Sequence, residues 1–232
     1  MRQATRAEWT KAVTTASTRW LLIGFVVSTV AISVAAIAAT KSSPIDHGRS
    51  ATEISLTGVV VGQAIIAMLA VVAISGEYST GMIRISLTAV PRRAQLLAAK
   101  GTIVGALTLA AATVAVVASL VAGRLMLPGE GYAISLTDGS TVRAAASEIV
   151  HVALIGLISL GLATAARESA TAVGAVLGLI YLFPIVTELV TDPDWQRRLQ
   201  DLGPMTADLD VLAGWAAVCL LAGGSVLRMR DA

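Results

Sequence analysis

Polar residues along this chain are sparse and gathered into short stretches, and the segments between them are continuously apolar. The apolar runs fall at about 20–39, 56–75, 97–122, 149–166, 171–190 and 211–227. Each is long enough to cross an apolar layer of about 30 Å as a helix. None alternates with the two-residue period of a barrel strand, and lipid admits only helices or closed barrels. Abundant alanine and leucine favour helix as well. The pattern predicts an all-α integral membrane fold of six transmembrane helices, with residues 1–232 forming one domain. Basic residues precede the first run, and Ala36-Ile37-Ala38 mimics a signal-cleavage site. Its apolar core is nevertheless too long for a cleaved leader.

The positions of the basic residues orient this bundle. With the N-terminus inside, eleven lysines and arginines flank the spans on the cytoplasmic side, among them Arg6, Lys11, Arg19, Arg84, Arg92 and Lys100. The opposite side holds six, mixed with most of the acidic residues. The excess of inside positive charge predicts that both termini are cytoplasmic. Arginine outnumbers lysine fourteen to three in an alanine- and valine-rich chain, a bias that points to a bacterial source and so to a bacterial cytoplasmic membrane.

Composition narrows the function classes. The chain is 56% apolar and 14% charged, where soluble domains carry about 25% charge. An aromatic content of 4% and a net charge of +2 exclude a nucleic-acid partner. Cys219 is the one cysteine, and His47 and His151 stand in no ligand-spaced pattern, so no metal site is expected. No P-loop sequence occurs, and the loops are too short for a soluble catalytic domain. No cofactor is expected in this chain, and no catalytic residue is assigned.

The largest loop on the inner side, from Ser75 to Gly101, carries the most information. Glu77 stands at the membrane edge, Gly81 supplies flexibility, and Pro91 suits the first turn of a new helix. Met82, Ile83, Leu87 and Val90 can form an apolar face while Arg84, Arg92 and Arg93 stay hydrated. That composition fits a short helix lying on the membrane or in a partner's groove, and it equally fits a solvated basic loop that sets topology. Residues 5–19, with Trp9, Trp20, Lys11 and Arg19, suit an interfacial helix at headgroup level.

The order Gly76-Glu77-Tyr78, Gly81, Ile83-Arg84, Leu87, Pro91-Arg92-Arg93, Leu96 and Ala99-Lys100 resembles the cytoplasmic signature of type-2 ABC exporter permeases, in their short bacterial form. Ala7-Glu8-Trp9-Thr10-Lys11 followed by Thr18-Arg19-Trp20-Leu21-Leu22 resembles the elbow segment of the same family. Met82 departs from it, since many relatives have a small polar residue there. The resemblance implies an elbow helix at about 5–19 and a coupling helix within about 76–96. It implies a non-enzymatic transport subunit that pairs with a second permease subunit, the same chain or a related one. Separate ATP-binding cassette subunits would bind ATP and Mg and grip the loop. Glu77, Tyr78, Gly81, Arg84 and Arg92 take the coupling role by that resemblance.

Gly58-x-x-x-Gly62 and Gly174-x-x-x-Gly178 permit close helix approach, within the subunit or at a dimer seam; the resemblance favours the seam for these two pairs. Pro184 breaks or kinks the fifth run and Glu188 is costly in lipid. The resemblance places an external gate there, while Trp195 and Arg197-Arg198 also fit a surface helix anchored at headgroups. The expected function is export of a hydrophobic or amphipathic substrate, with membrane lipids as surroundings. The competing readings are a non-transporting assembly or receptor protein and an intramembrane lipid-modifying enzyme.

Overall fold

The computed structural model describes residues 2–42, 50–79, 81, 93–127, 137–166, 168–204 and 208–229. Among them no strand occurs, and six helices are long and apolar enough to cross a membrane. A short polar helix, α1 (Arg2–Thr14), precedes the first span, α2 (Ala16–Ser42). The second and third spans are α3 (Ala51–Ser79) and α4 (Arg93–Met126), and the fourth is α5 (Gly139–Ala166). The fifth is composite: α6 (Ser169–Leu177), a π-helical turn (Gly178–Leu182) and α7 (Phe183–Leu189). An exposed helix, α8 (Pro193–Leu202), leads to the sixth span, α9 (Leu209–Met229).

Helix ends outrun the apolar runs, because hydropathy marks what lipid covers and not where backbone hydrogen bonding stops. The start of α3 is set by a capping box. Ser50 Oγ accepts from Glu53 N–H at 3.2 Å, and the Glu53 carboxylate accepts from Ser50 N–H at 3.1 Å. At the other end of α3, Gly81 takes φ +69°, a left-handed conformation that terminates a helix and costs glycine nothing. The start of α5 lies well before its apolar run because Ala144, Ala145 and Ala146 continue the helix through polar residues.

The spans α3 and α5 form the centre, with α2 and α4 packed on one flank and α9 on the other. Two close crossings hold them. Gly58 lies against the Thr29 carbonyl of α2, with its N–H 3.2 Å from Ser33 Oγ, and Gly62 lies against Thr29 and the Phe25 ring. A side-chain carbon at Gly161 of α5 would stand 2.6 Å from Cys219 O and 2.7 Å from Leu220 N of α9. Membrane helices gain little from the hydrophobic effect between themselves, so such backbone approach supplies the dispersion contact that replaces it. Around the crossings, Phe25, Val59, Ile66, Ala112 and Val116 fill one buried cluster, and Ile74, Ile155, Ile158, Leu160 and Leu212 fill another.

The fifth span is modulated and not broken. Phe183 N–H donates to Gly178 O, the wider bond of a π turn, immediately before Pro184, which has no N–H to give. Tyr181 in that turn donates its hydroxyl to Val60 O of α3 at 2.8 Å, fixing the irregular segment to the central span.

Candidate functional site

Four charged side chains from three elements meet beneath α1. Glu8 and Lys11 lie one turn apart on α1, Glu77 stands in the last turns of α3, and Lys100 in the second turn of α4. Lys100 Nζ donates to Glu8 Oε2 at 2.7 Å, Glu77 Oε1 at 3.0 Å and Ala73 O at 3.0 Å. These bonds use all three of its N–H donors. Lys11 Nζ donates to Glu8 Oε1 at 3.0 Å and to Glu77 Oε1 at 2.8 Å. Glu8, Glu77 and Lys100 are each more than nine-tenths buried, whereas the Lys11 side chain is 35% exposed. The four formal charges cancel, and burial of this many ions is tolerable only when each is paired and hydrogen-bonded.

The cluster joins segments that are remote in sequence. It ties α1 to both ends of the loop between α3 and α4, since Glu77 precedes that loop and Lys100 follows it. Displacement of one of the three elements strains the ion pairs it makes with the other two.

Burial alone would raise the Glu8 carboxyl, but the ammoniums of Lys100 and then Lys11 outweigh it and hold the group below its ordinary 4.5. For Lys11, burial acts downward, and the hydrogen-bonded carboxylates of Glu77 and Glu8 outweigh it, raising the ammonium above its ordinary 10.5. A depressed carboxyl contributes stability that is present above 4.5 and lost as pH falls through the folded value. A raised ammonium contributes stability present below 10.5 and lost as pH rises past the folded value. Thermal unfolding in detergent is therefore expected to be insensitive to these two groups between those limits, with an acid limb below 4.5 that Glu8→Gln weakens.

The structure brings together only some of the residues singled out in the sequence. Glu77 is paired with Lys11 and Lys100. Tyr78 packs half-buried against the core of α3 and α5, and Gly81 ends α3. Arg84, Arg92 and most of the segment expected to hold a coupling helix lie outside the described residues. Gly58 and Gly62 face α2 of the same chain, so their close approach is used within the subunit. Side-chain carbons at Gly174 and Gly178 would meet open space. Pro184 follows the π turn, and Glu188 is exposed near the end of α7. No residue of α8 is buried, and Arg198 stacks over Trp195 at 5.8 Å from the ring centroid, as suits a helix at an interface.

Sequence reasoning passed over Glu8, Lys11 and Lys100 as site residues. The i, i+3 spacing of Glu8 and Lys11 was a visible signal of a pair, but Lys100 at the head of an apolar run reads as a topology charge.

The fold and this cluster define an all-α membrane protein with six candidate spans and an ion-pair clamp at the side of α1. Compared with known proteins, the chain matches no family model and no curated sequence.

Proposed function

We propose that this chain is the transmembrane subunit of an ATP-driven exporter of the type-2 ABC kind, moving a hydrophobic or amphipathic substrate out of the cytoplasm or its leaflet. The observation that carries the reading is the clamp: Glu8, Lys11, Glu77 and Lys100 grip both ends of the loop that bears the family resemblance. A loop that receives force from a partner needs stiff attachment to the spans it moves. Buried ion pairs resist displacement because separating them leaves unpaired charge in a poor solvent. Closure of an ATPase beneath the loop would then reach α1, α3 and α4 together.

In this reading α1 is the elbow, and Glu77, Tyr78, Gly81, Arg84 and Arg92 form or border the coupling surface. ATP and Mg belong to the partner ATPase, and Arg84 supplies a bidentate donor for its carboxylates or helix-end carbonyls. The open faces at Gly174 and Gly178 suit a seam with a second permease subunit. Pro184, Glu188 and the exposed α8 stand at the opposite end of the bundle, where an external gate would lie.

The test is purification of the chain from its native membrane under mild conditions. A Walker-type ATPase is expected to accompany it, and Arg84→Glu is expected to cut that recovery about tenfold, the effect of losing roughly 1.4 kcal/mol at the contact. Thermal unfolding of the variant should match the parent, which separates lost docking from lost folding. A stable oligomer of the parent without any ATPase, in conditions that preserve ABC assemblies, overturns the proposal.

A further inference from the structure

A groove of about 790 Å³ runs between α4 and α9, with Leu157 of α5 as its floor. We infer that it is a binding site for an anionic phospholipid of the leaflet on the α1 side, with acyl chain in the groove and headgroup where α4 begins and α9 ends. The inference rests on the groove and the charges beside it, and it does not require the transport reading.

The groove is as long as one leaflet is thick. Its α4 wall runs from Ala94 to Thr102, about 12 Å at the rise of an α-helix, and its α9 wall from Leu220 to Met229, about 14 Å. Half of the hydrocarbon layer is about 15 Å. A span of a second copy needs about twice that length to lie against, whereas an acyl chain of one leaflet is accommodated. Ala98 and Gly101 on one wall and Gly224 on the other recess the groove, beside the exposed apolar side chains of Leu221 and Met229. The two hydroxyls that line it are spent on their own helices: Thr102 donates to Ala98 O and Ser225 to Ala222 O, each at 2.8 Å. The lining therefore offers an occupant apolar contact and no free hydroxyl donor, which suits hydrocarbon.

Charge at the ends of the two walls selects the headgroup. Arg93 immediately precedes Ala94 at the start of α4, and Arg228 immediately precedes Met229 at the end of α9. Each wall thus ends beside a permanent cation. No acidic residue occurs in α4, and none in α9 after Asp210, so no carboxylate on these walls competes for the arginines. The carboxylates of the clamp are already matched by Lys11 and Lys100. Basic positions between spans at the membrane surface hold anionic headgroups, and a guanidinium bonds phosphate oxygens in pairs. A zwitterionic headgroup brings its own cation beside the phosphate, which cancels most of that attraction.

The test uses the purified full chain in detergent, stripped of lipid and then offered phosphatidylglycerol or phosphatidylcholine with the same acyl chains. Native mass spectrometry reads retained lipid and oligomeric mass together. Phosphatidylglycerol is expected to be retained about tenfold more than phosphatidylcholine, the order of effect of two arginines at a charged headgroup. Arg93→Gln combined with Arg228→Gln should bring the two lipids close to parity. Ala98→Phe sends a ring into the groove from an exposed position, so it should cut retention of phosphatidylglycerol about tenfold while thermal unfolding of the lipid-free protein stays unchanged. Ser225→Leu fills the groove from the opposite wall and serves where the first variant does not fold. Equal retention of the two lipids by the parent chain overturns the inference, as does full retention of phosphatidylglycerol by the filled variants. A dimer of the parent chain that Ala98→Phe disrupts, with no preference between the lipids, overturns it in favour of a second copy as the occupant.

Discussion

Replacing Lys100 with methionine is expected to lower the unfolding free energy by about 3 kcal/mol or more, the cost of breaking a buried ion pair by removing one partner. The side chain of Lys100 is 4% exposed, and those of Glu8 and Glu77 are 6% and 8% exposed, so solvent screens these contacts little. Methionine keeps an unbranched side chain, one atom shorter, and removes the charge. Two buried carboxylates then share the single ammonium of Lys11, and Ala73 O loses a donor. Lys11→Met should cost markedly less, because that side chain is 35% exposed and Lys100 still bonds both carboxylates. Glu8→Gln in the Lys100→Met background should recover part of the loss, since it removes one of the unpaired charges. Thermal unfolding of the four proteins in one detergent decides the matter. Equal losses for Lys100→Met and Lys11→Met would show that the cluster is wet and loosely held.

The same cluster shows where sequence reading reaches its limit. The six spans were legible because lipid demands a continuous apolar run, and each run is itself the evidence. Glu77 was legible as a charge at the membrane edge, where the second apolar run ends. Its partners were not, since the bond from Lys100 to Glu8 joins residues 92 positions apart in the chain. No local period encodes a contact that tertiary packing alone creates. The capping box at Ser50 and Glu53 was a local signal, and it set the start of α3 ahead of the apolar run. The π turn before Pro184 was half legible: the proline announces a missing N–H, but whether the chain kinks or widens by one residue depends on what holds it. Here Tyr181 bonded to α3 holds it. The role of Gly58 and Gly62 depended on which helix came to lie against them, and that helix is α2 of the same chain.

Gly161→Ala is expected to destabilise the bundle by about 1–3 kcal/mol, as overpacking does, although glycine to alanine ordinarily favours a helix by about 1 kcal/mol. The sign reverses because the new carbon would stand 2.6 Å from Cys219 O and 2.7 Å from Leu220 N, both backbone atoms that no rotamer change can move. To admit the methyl group α5 and α9 must separate, and the contacts along their whole crossing weaken together. Gly105→Ala on α4 supplies the control. Its added carbon would lie 3.9 Å from Leu157 Cδ2, an ordinary contact, so this variant should be neutral or slightly more stable. Gly223 faces Gly161 O at 2.6 Å from a built side-chain carbon, so Gly223→Ala forces apart the same two helices. Once one substitution has opened the crossing, the second has less contact left to lose. The double variant should therefore lose less than the sum of the two single losses, a coupling that distant sites do not show. Unfolding midpoints for the parent, Gly105→Ala, both single variants and the double variant test this, and a Gly161→Ala protein at least as stable as the parent would refute the close crossing of α5 and α9.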